Sequence, residues 1–337
     1  MSGNATPLGV LLVNLGTPDE PTPRAIRRYL AEFLADPRVV DLPRLLWLPI
    51  LYGFILPLRP RRLVEKYEYI WTEDGGPIRT LTASLASAVE SSLAREATAR
   101  EIRVLPAMTY GNPSIASAIE AFRESGIQDL MVVPLFPQYS AATTAAVFDK
   151  LAATLARSSA FGDIRFIDEY FASTAYVHAL TKSLEGYANQ LDDGARLLFS
   201  FHGIPVSQEQ AGDPYPSRCR ATAEILAHNL GLSSDQWMIT FQSRFGPAPW
   251  VQPYTDETLK ALAQSGTSRV VVVCPGFATD CLETVHEIDV EGRETFMAAG
   301  GTEFTYVPAL NASEDHVKVL SHLILARLYP AEAVPPG

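Results

Sequence analysis

His202 is the residue whose position in this sequence most favours chemistry. It follows the apolar run LLFSF, which predicts a β-strand, and it precedes a glycine and a nearby proline, which predict a turn. An imidazole that projects from a strand end into a cleft titrates near neutral pH, and it can accept a proton or bind a metal ion. The alternative is a core histidine whose ring is hydrogen-bonded to a backbone carbonyl.

A row of carboxylates is the second chemical feature. Four glutamates share one face of a helix that we predict to end at Gly300: Glu283, Glu287, Glu291 and Glu294. Like charges at this spacing destabilise a helix by roughly a few tenths of a kcal/mol per pair, so the row needs solvent, protons or cations to offset the repulsion. The row is either a solvated helix face or a path for divalent cations or protons, and a histidine at a neighbouring strand end favours the path.

The composition limits the classes of protein that this chain can be. With 47% hydrophobic and 19% charged residues among 337, it can bury a large core, and its net charge of -11 disfavours nucleic acid as a partner. Its three cysteines, Cys219, Cys274 and Cys281, are too few for a four-ligand iron–sulfur cluster, and we expect a reducing cytoplasm. The N-terminal apolar run lacks a preceding positive charge, which favours a first strand over a signal peptide.

Motif searches narrow the chemistry further. The sequence contains no GxGxxG, no Walker loop, no HExxH and no GxSxG. Dinucleotide-binding, NTP-binding, zincin and esterase functions therefore lack sequence support.

The chain also contains an internal duplication. Eight short apolar runs alternate with helix-length segments, and this predicts parallel sheets with crossover helices. Matching pairs occur at offsets of 140, 187 and 135: Glu124 with Gln264, Leu11 with Leu198, and Tyr110 with Phe245. A unit that occurs twice indicates two copies of one supersecondary arrangement.

We therefore predict an α/β fold with two similar Rossmann-like domains, each a parallel sheet flanked by helices. The first domain spans residues 1–172 and the second spans 173–337, and the C-terminal helix is able to pack back on the first domain. Ligands of such sheets bind at the carboxyl ends of the strands, where the loops after the first and third strands of each half meet.

The two halves differ at equivalent strand ends. Where the second half has His202, the first has Leu15, and where the second has Glu283, the first has Thr143. This asymmetry places the chemistry in the second half and an apolar wall opposite it.

The first half carries an insertion, here called the lip, at about residues 37–80. The offset falls from 187 to 140 across it, a difference of 47 residues. The lip contains the most apolar stretch of the chain, 39–58, whose prolines and charges argue against a bilayer span. We expect a bent interfacial hairpin that touches lipid or a greasy ligand; the alternative is a buried core segment.

Six segments, in order, closely resemble the ferrochelatase family: NLGTP, PQYSAATT, SFHGIP, GDPYPSRC, FQSRFGPAPW and FATDCLETVHEID. The resemblance runs from about Gly9 to Leu328. It implies insertion of ferrous iron into protoporphyrin IX, the last step of haem synthesis, on two Rossmann-like domains. It also implies no resident cofactor: ferrous iron is a substrate, and we expect no iron–sulfur cluster, because members with one have four cysteine ligands.

The resemblance implies roles for single residues. His202 and Glu283 correspond to the catalytic pair and, with Glu287 and Glu291, to the metal-binding residues. The porphyrin-binding residues that it implies are Leu15, Arg59, Arg61, Tyr67, Tyr139 and Trp250. Of these, the two arginines meet the porphyrin propionates, together with the neighbouring Arg62. Some members have methionine or tyrosine in place of Leu15. The residues do not say whether the histidine or the glutamate is the base.

We expect a cytoplasmic enzyme that binds protoporphyrin IX and ferrous iron and contacts a membrane peripherally through the lip. The lip and the apolar Leu15 favour protoporphyrin, with two propionates, over coproporphyrin, with four. Two alternatives stay open. One is a chelatase that inserts cobalt or nickel into a more polar tetrapyrrole, and the other is a two-domain protein that binds haem or another small ligand without chemistry.

Overall fold

Two parallel four-stranded sheets organise the part of the chain that the structure, a computed structural model, describes: residues 6–96, 100–157, 161–192 and 194–329. The first sheet contains β1 (Leu8–Thr17), β2 (Ile102–Gly111), β3 (Asp129–Pro134) and β4 (Ile164–Phe166). The second sheet contains β5 (Arg196–His202), β6 (Trp237–Gln242), β7 (Arg269–Val273) and β8 (Glu303–Val307). The outer ends of the two predicted domains, residues 1 and 337, lie outside the described residues.

The α-helices of the described residues are α1 (Pro23–Leu34), α2 (Arg44–Ile50), α3 (Leu56–Ile70), α4 (Pro77–Arg95), α5 (Ile115–Glu124), α6 (Ala146–Leu155), α7 (Thr174–Glu185), α8 (Ala188–Asp192), α9 (Val206–Gln210), α10 (Tyr215–Asn229), α11 (Thr255–Gln264), α12 (Arg293–Ala298) and α13 (Glu314–Leu328). Three further segments are π-helical: π1 (Leu51–Ile55), π2 (Ala141–Ala145) and π3 (Leu282–Gly292).

Both sheets have the same strand order. The first runs β2-β1-β3-β4 and the second β6-β5-β7-β8, with all neighbours parallel. The first and third strands of each half are therefore adjacent, and the loops that follow them meet at one edge of each sheet. The predicted α/β fold of two duplicated Rossmann-like units is confirmed.

The duplication extends to local structure. The helices α7 and α13 are capped 140 positions apart by Ser173 and Ser313, whose hydroxyls accept the N–H groups of Tyr176 and His316. Each half also places a π-helix after its third strand, π2 in the first half and π3 in the second. Equivalent sequence has therefore produced equivalent caps and an equivalent distortion of the helix that follows.

One predicted equivalence, that of Tyr110 with Phe245, is wrong. The carbonyl oxygen of Pro113 accepts a hydrogen bond from the backbone N–H of the residue five positions earlier. The carbonyl oxygen of Pro253 accepts one from the residue twelve positions earlier. The second half therefore has seven extra residues in the loop 243–252. Tyr110 is fully buried in β2, while Phe245 lies exposed in this longer loop, so the two do not correspond.

The equivalent helices α7 and α13 each pack against the sheet that does not directly precede them in the chain. Leu180 of α7 belongs to the same core cluster as Phe199 of the second sheet. Leu320 and Ile324 of α13 belong to the cluster that contains Leu12 of the first sheet. This exchange buries apolar surface between the two halves and fixes the sheets relative to each other.

The carboxyl ends of the two sheets face each other. Buried Asn14, near the end of β1, donates through Nδ2 to Thr279 Oγ1 at 3.0 Å, and Thr279 follows β7 in the other half. The same Nδ2 donates to Thr82 Oγ1 of α4 at 3.1 Å. A buried amide with both partners satisfied holds this junction in one arrangement, and the cleft opens beside it.

The lip is helical, which corrects the predicted hairpin. The segments α2, π1 and α3 follow one another without interruption from Arg44 to Ile70. Pro49 and Pro57 each lack the N–H that an α-helix interior uses, and the π-helical turn lies between them, where regular hydrogen bonding is already interrupted. No helix among the described residues is both long and apolar enough to cross a bilayer.

One face of the lip is buried and the other is exposed. Trp47 and Leu51 are buried, and the indole N–H of Trp47 donates to the carbonyl of Leu34 at 2.6 Å, which attaches the lip to α1. Seven large apolar side chains point outwards instead: Leu42, Leu45, Leu46, Ile50, Tyr52, Phe54 and Leu58. One face of the lip is therefore part of the core, and the other face leaves apolar side chains exposed.

Candidate active site

His202 ends β5 and is half-buried at the edge of the second sheet. Its Nδ1 lies 2.7 Å from the carbonyl oxygen of Gly203. Because a carbonyl can only accept, Nδ1 carries the hydrogen and Nε2 keeps its lone pair. The ring of Trp250 lies 6.5 Å from the imidazole between centroids. His202 can therefore accept a proton or bind a metal ion at Nε2.

Gln242, the last residue of β6, connects the histidine strand to Glu283. It pairs in register with His202, and its main-chain oxygen accepts the N–H of Gly203 at 2.8 Å. A Cβ at Gly203 would lie 3.0 Å from that same oxygen, so this approach favours glycine. The side-chain Nε2 of Gln242 donates to the main-chain oxygen of Glu283 at 2.9 Å, and its Oε1 accepts from Ser200. Sequence reasoning missed Gln242, although a glutamine ending the apolar run WMITF was a visible signal.

Glu287, one turn along π3, is held by Ser243. Its two carboxylate oxygens accept the backbone N–H of Ser243 at 2.7 Å and the hydroxyl at 2.5 Å. Ser243 has a φ of 65°, a left-handed conformation that a serine adopts only under local constraint, and it aims both donors at the carboxylate. Burial raises the pKa of Glu287 to about 7, against the lowering effect of Ser243, and the charge of Glu283 raises it further. Glu287 can therefore exchange a proton near neutral pH.

Glu291 lies towards the outer end of the row and contacts the lip. Lys66 Nζ of α3 lies 2.5 Å from Glu291 Oε1, and His286 Nδ1 lies 3.7 Å from the same oxygen. Burial lowers the pKa of His286, although the nearby Glu291 carboxylate acts in the opposite direction. The ring of Tyr69 packs edge-on against His286. Lys66, His286 and Tyr69 were not among the predicted site residues.

The predicted wall residues Leu15 and Tyr67 pack in one apolar cluster of the first half, with Leu282 of π3 against it. Buried Tyr67 and half-buried Glu283 line a cavity of about 10 Å³, which has room for about one water molecule. Burial, and then the charge of Glu283, raise the pKa of Tyr67 well above its usual value, so its phenol stays neutral. Sites for drug-sized ligands occupy ~300–1,000 Å³. The walls must therefore separate to admit a tetrapyrrole.

Arg59 closes the mouth of the cleft from the lip side. Its guanidinium carbon lies 4.4 Å from the ring centroid of Phe245, in the longer loop of the second half. Burial lowers the pKa of Arg59, while Tyr67 and Glu283 act to raise it, so the guanidinium lies within electrostatic range of Glu283. The indole N–H of Trp250 donates to the carbonyl of Phe245 at 3.0 Å and holds this loop.

Two predicted binding residues lie apart from this group. Arg61 is exposed, two positions from Arg59 and hence on the opposite side of α3, beside Arg24 and Arg27 of α1. Tyr139 is half-buried in the loop after β3. The structure thus brings Glu283 and Tyr67 to one cavity, holds Arg59 within electrostatic range of both, and directs Arg61 to the outer surface.

The carboxylate row does not form a compact metal centre. Within the described part of the chain, no group of three or more His, Cys, Asp or Glu side chains is arranged to hold a metal ion. Its carboxylates instead have separate partners: Ser243 for Glu287 and Lys66 for Glu291. Such a series offers stepwise contacts for a moving cation or proton.

Comparisons with known proteins identify the family of this chain. The family model Ferrochelatase matches residues 7–328. The chain is 47% identical to a ferrochelatase of Thioalkalivibrio sulfidiphilus over 335 residues, which cover 99% of this chain and 90% of that protein. It is 45% identical over 321 residues to a Streptococcus mutans protein named coproporphyrin III ferrochelatase, which covers 95% of this chain and 98% of that protein.

Among solved structures, SirB from Bacillus subtilis with Fe3+ aligns with a TM-score of 0.54 at 13% identity, over 95% of this chain and 94% of that one. At this identity the likeness concerns the fold alone. The family match, by contrast, spans both sheets, the lip and the histidine–carboxylate edge. The chain belongs to the ferrochelatase family and is a porphyrin metal chelatase of haem biosynthesis.

Proposed function

We propose that this enzyme inserts ferrous iron into protoporphyrin IX, with His202 and Glu283 facing the centre of the macrocycle. The observation that carries the proposal is the link between them: Gln242 pairs with His202 and hydrogen-bonds to the main chain of Glu283. The wall that contains Leu15 and Tyr67 lies on the side of the first half. A flat apolar ring fits between a reactive edge and such a wall.

Metal insertion releases two protons and transfers no electron. Fe2+ replaces the two pyrrole N–H hydrogens. The site must therefore supply a base that accepts these protons and a donor that brings the metal ion to the same ring. His202 is the base in this proposal, because its Nδ1 hydrogen is held by Gly203 and its Nε2 lone pair is available. Glu283 helps to deliver or ligate iron. Trp250 and Leu15 hold the ring bent.

The remaining carboxylates connect the ring to solvent. Glu287 is half-buried and has a pKa of about 7, so it can take up an outgoing proton and release it again. Glu291 is nearer to solvent and meets an arriving cation first. Cations move inwards and protons outwards along Glu291, Glu287 and Glu283.

The lip supports protoporphyrin over a more polar tetrapyrrole. Seven apolar side chains of the lip are exposed, and Arg59 supplies a cation within electrostatic range of Glu283 and Tyr67 for a propionate. Coproporphyrin, with four propionates, needs more cations. It is the second candidate, because a relative named for coproporphyrin III shares 45% of its sequence with this chain.

The purified protein, mixed anaerobically with Fe2+ and either porphyrin, tests the proposal through the visible spectrum. We expect many turnovers with protoporphyrin and a kcat/KM at least roughly tenfold above that for coproporphyrin. The reverse preference would establish the second candidate. Stoichiometric binding without metallation of either ring would make the protein a tetrapyrrole carrier.

We also propose that the lip contacts a membrane surface on the cytoplasmic side. The lip exposes apolar side chains such as Leu45, which is 91% exposed, and its residues Leu56, Pro57 and Pro60 lie beside the exposed cations Arg24, Arg27 and Arg61. Hydrocarbon beside positive charge suits the boundary between acyl chains and anionic headgroups. A surface of this kind also lets an apolar substrate enter from lipid.

Vesicle sedimentation tests this contact. Leu45→Glu should weaken binding to vesicles that contain anionic lipid by about tenfold, while Met297→Glu, which alters an exposed apolar side chain on α12, should not. Equal binding by both variants would remove the membrane proposal and leave the chemistry untouched.

A further inference from the structure

Lys66 joins the lip to the outer end of the carboxylate row. It lies on α3, and its ammonium nitrogen contacts Glu291 Oε1 at 2.5 Å, so the pair crosses from the first half to π3 of the second. Both side chains are partly exposed, 36% for Lys66 and 42% for Glu291. The ion pair is therefore accessible from solvent and can open without disturbing the core.

A second donor beside this pair has no partner. His286 Nδ1 is buried and makes no hydrogen bond within the described residues, yet it lies 3.7 Å from Glu291 Oε1. The ring is held edge-on by Tyr69. Lys66 thus occupies the carboxylate, while the adjacent ring nitrogen stands unused.

We propose that Lys66 is a built-in competitor for the incoming divalent cation at Glu291, and that it weakens the binding of metal ions at this entrance. A cation that arrives at Glu291 must displace the ammonium group, and this cost lowers its affinity at the entrance. A first-row transition metal recovers part of the cost, because imidazole nitrogen is one of its preferred ligands and His286 Nδ1 is at hand. Mg2+ prefers oxygen and keeps its water, so it recovers little.

This inference rests on the proposed function at one point, namely that the row of carboxylates leads to the porphyrin. The competition itself is a property of Lys66 and Glu291, and it can be measured without porphyrin. Failure of one claim is therefore distinguishable from failure of the other.

Calorimetric titration of the porphyrin-free protein with Zn2+ and with Mg2+ tests the competition. Lys66→Met should tighten Zn2+ binding by about fivefold and Mg2+ binding by a similar factor, because both cations displace the same ammonium group. Lys66→Arg keeps the charge and should behave as the parent protein. Lys318→Met removes a lysine from the exposed pair with Glu314 and serves as the matched control with no expected change.

A double-mutant comparison locates the effect at Glu291. In a Glu291→Gln background, Lys66→Met should no longer tighten Zn2+ binding. In turnover, Lys66→Met should lower the KM for the metal with kcat unchanged within about twofold, a split that a merely structural role would not produce. Unchanged Zn2+ affinity in Lys66→Met, or equal tightening in the Glu291→Gln background, would overturn the inference even if the parent enzyme metallates porphyrin normally.

Discussion

The side-chain amide of Gln242 donates a 2.9 Å hydrogen bond to the main-chain oxygen of Glu283. Gln242 also lies beside His202 in the sheet, so one buried residue sets the separation of the two proposed reactive groups. Catalysis depends steeply on such geometry, and a shift of about 1 Å can cost on the order of a hundredfold in rate.

Gln242→Leu should therefore lower kcat for metallation by roughly tenfold or more, with porphyrin affinity little changed. The substitution leaves the carbonyl of Glu283 and the hydroxyl of Ser200 without their partner, so π3 can shift at its first turn. Steady-state metallation and fluorescence titration with porphyrin measure the two effects. Gln190→Leu, which removes a glutamine bonded to Thr305 away from the site, is the control. An unaltered kcat in Gln242→Leu would show that the link does not position the pair.

Ser243→Ala should move the pH dependence of turnover. Burial raises the pKa of Glu287 to about 7, and the hydrogen bonds from Ser243 act to lower it. Loss of the hydroxyl therefore raises this pKa further. Because ionised Glu287 is the form that accepts the outgoing proton, the acidic limb of the kcat profile should move to higher pH by up to about one unit.

The pH profile of kcat in the parent enzyme and in Ser243→Ala provides the measurement. Ser265→Ala, which removes an exposed hydroxyl at the end of α11, should leave the profile in place. A profile that stays fixed in Ser243→Ala would separate Glu287 from the proton path.

Buried His316 should make the fold sensitive to acid. Burial lowers its pKa from the usual 6.5 to about 4, while the bond between Nδ1 and the carbonyl of Asn311 acts to raise it. Between pH 6.5 and 4, His316 therefore binds a proton in the unfolded chain that it does not bind in the folded protein. The stability that neutral His316 permits is complete above pH 6.5 and falls as the pH decreases towards 4, by on the order of 3 kcal/mol.

Urea unfolding at pH 7 and at pH 4.5 tests this dependence. His316→Gln removes the titrating group, so the variant should lose much less stability between the two pH values than the parent protein does. His228→Gln, at an exposed position of α10, should retain the parent's dependence. Identical acid sensitivity in the parent and in His316→Gln would assign it to other groups.

The sheets were predictable from sequence because their signals are local. Eight apolar runs rich in β-branched residues marked the strands, and the offset of 140 related the halves through residues that recur, such as the capping serines Ser173 and Ser313. The lip was harder. Prolines favoured a bent hairpin, yet a π-helical turn between Pro49 and Pro57 allows one helical segment to continue past them.

The partners of the site were less accessible than its principal residues. His202 and Glu283 stand out because the first half has Leu15 and Thr143 instead. Ser243 and Lys66 show no such contrast between the halves. Ser243 lies in a loop whose extra residues prevented a correct alignment of the two halves. Lys66 is a single lysine on its helix, and its partner is 225 positions away along the chain. Long-range pairs of this kind are set by the packing of whole helices, which no local pattern encodes.

The central claim is that His202 performs chemistry at a tetrapyrrole site rather than building that site. Anaerobic metallation of protoporphyrin with Fe2+, measured beside protoporphyrin binding, tests it directly in the His202→Ala variant. We expect turnover to fall by at least about a hundredfold, the usual contribution of a positioned base, while the Kd for protoporphyrin stays within about twofold. Parallel loss of binding and turnover, or metallation that persists without the imidazole, would contradict the account.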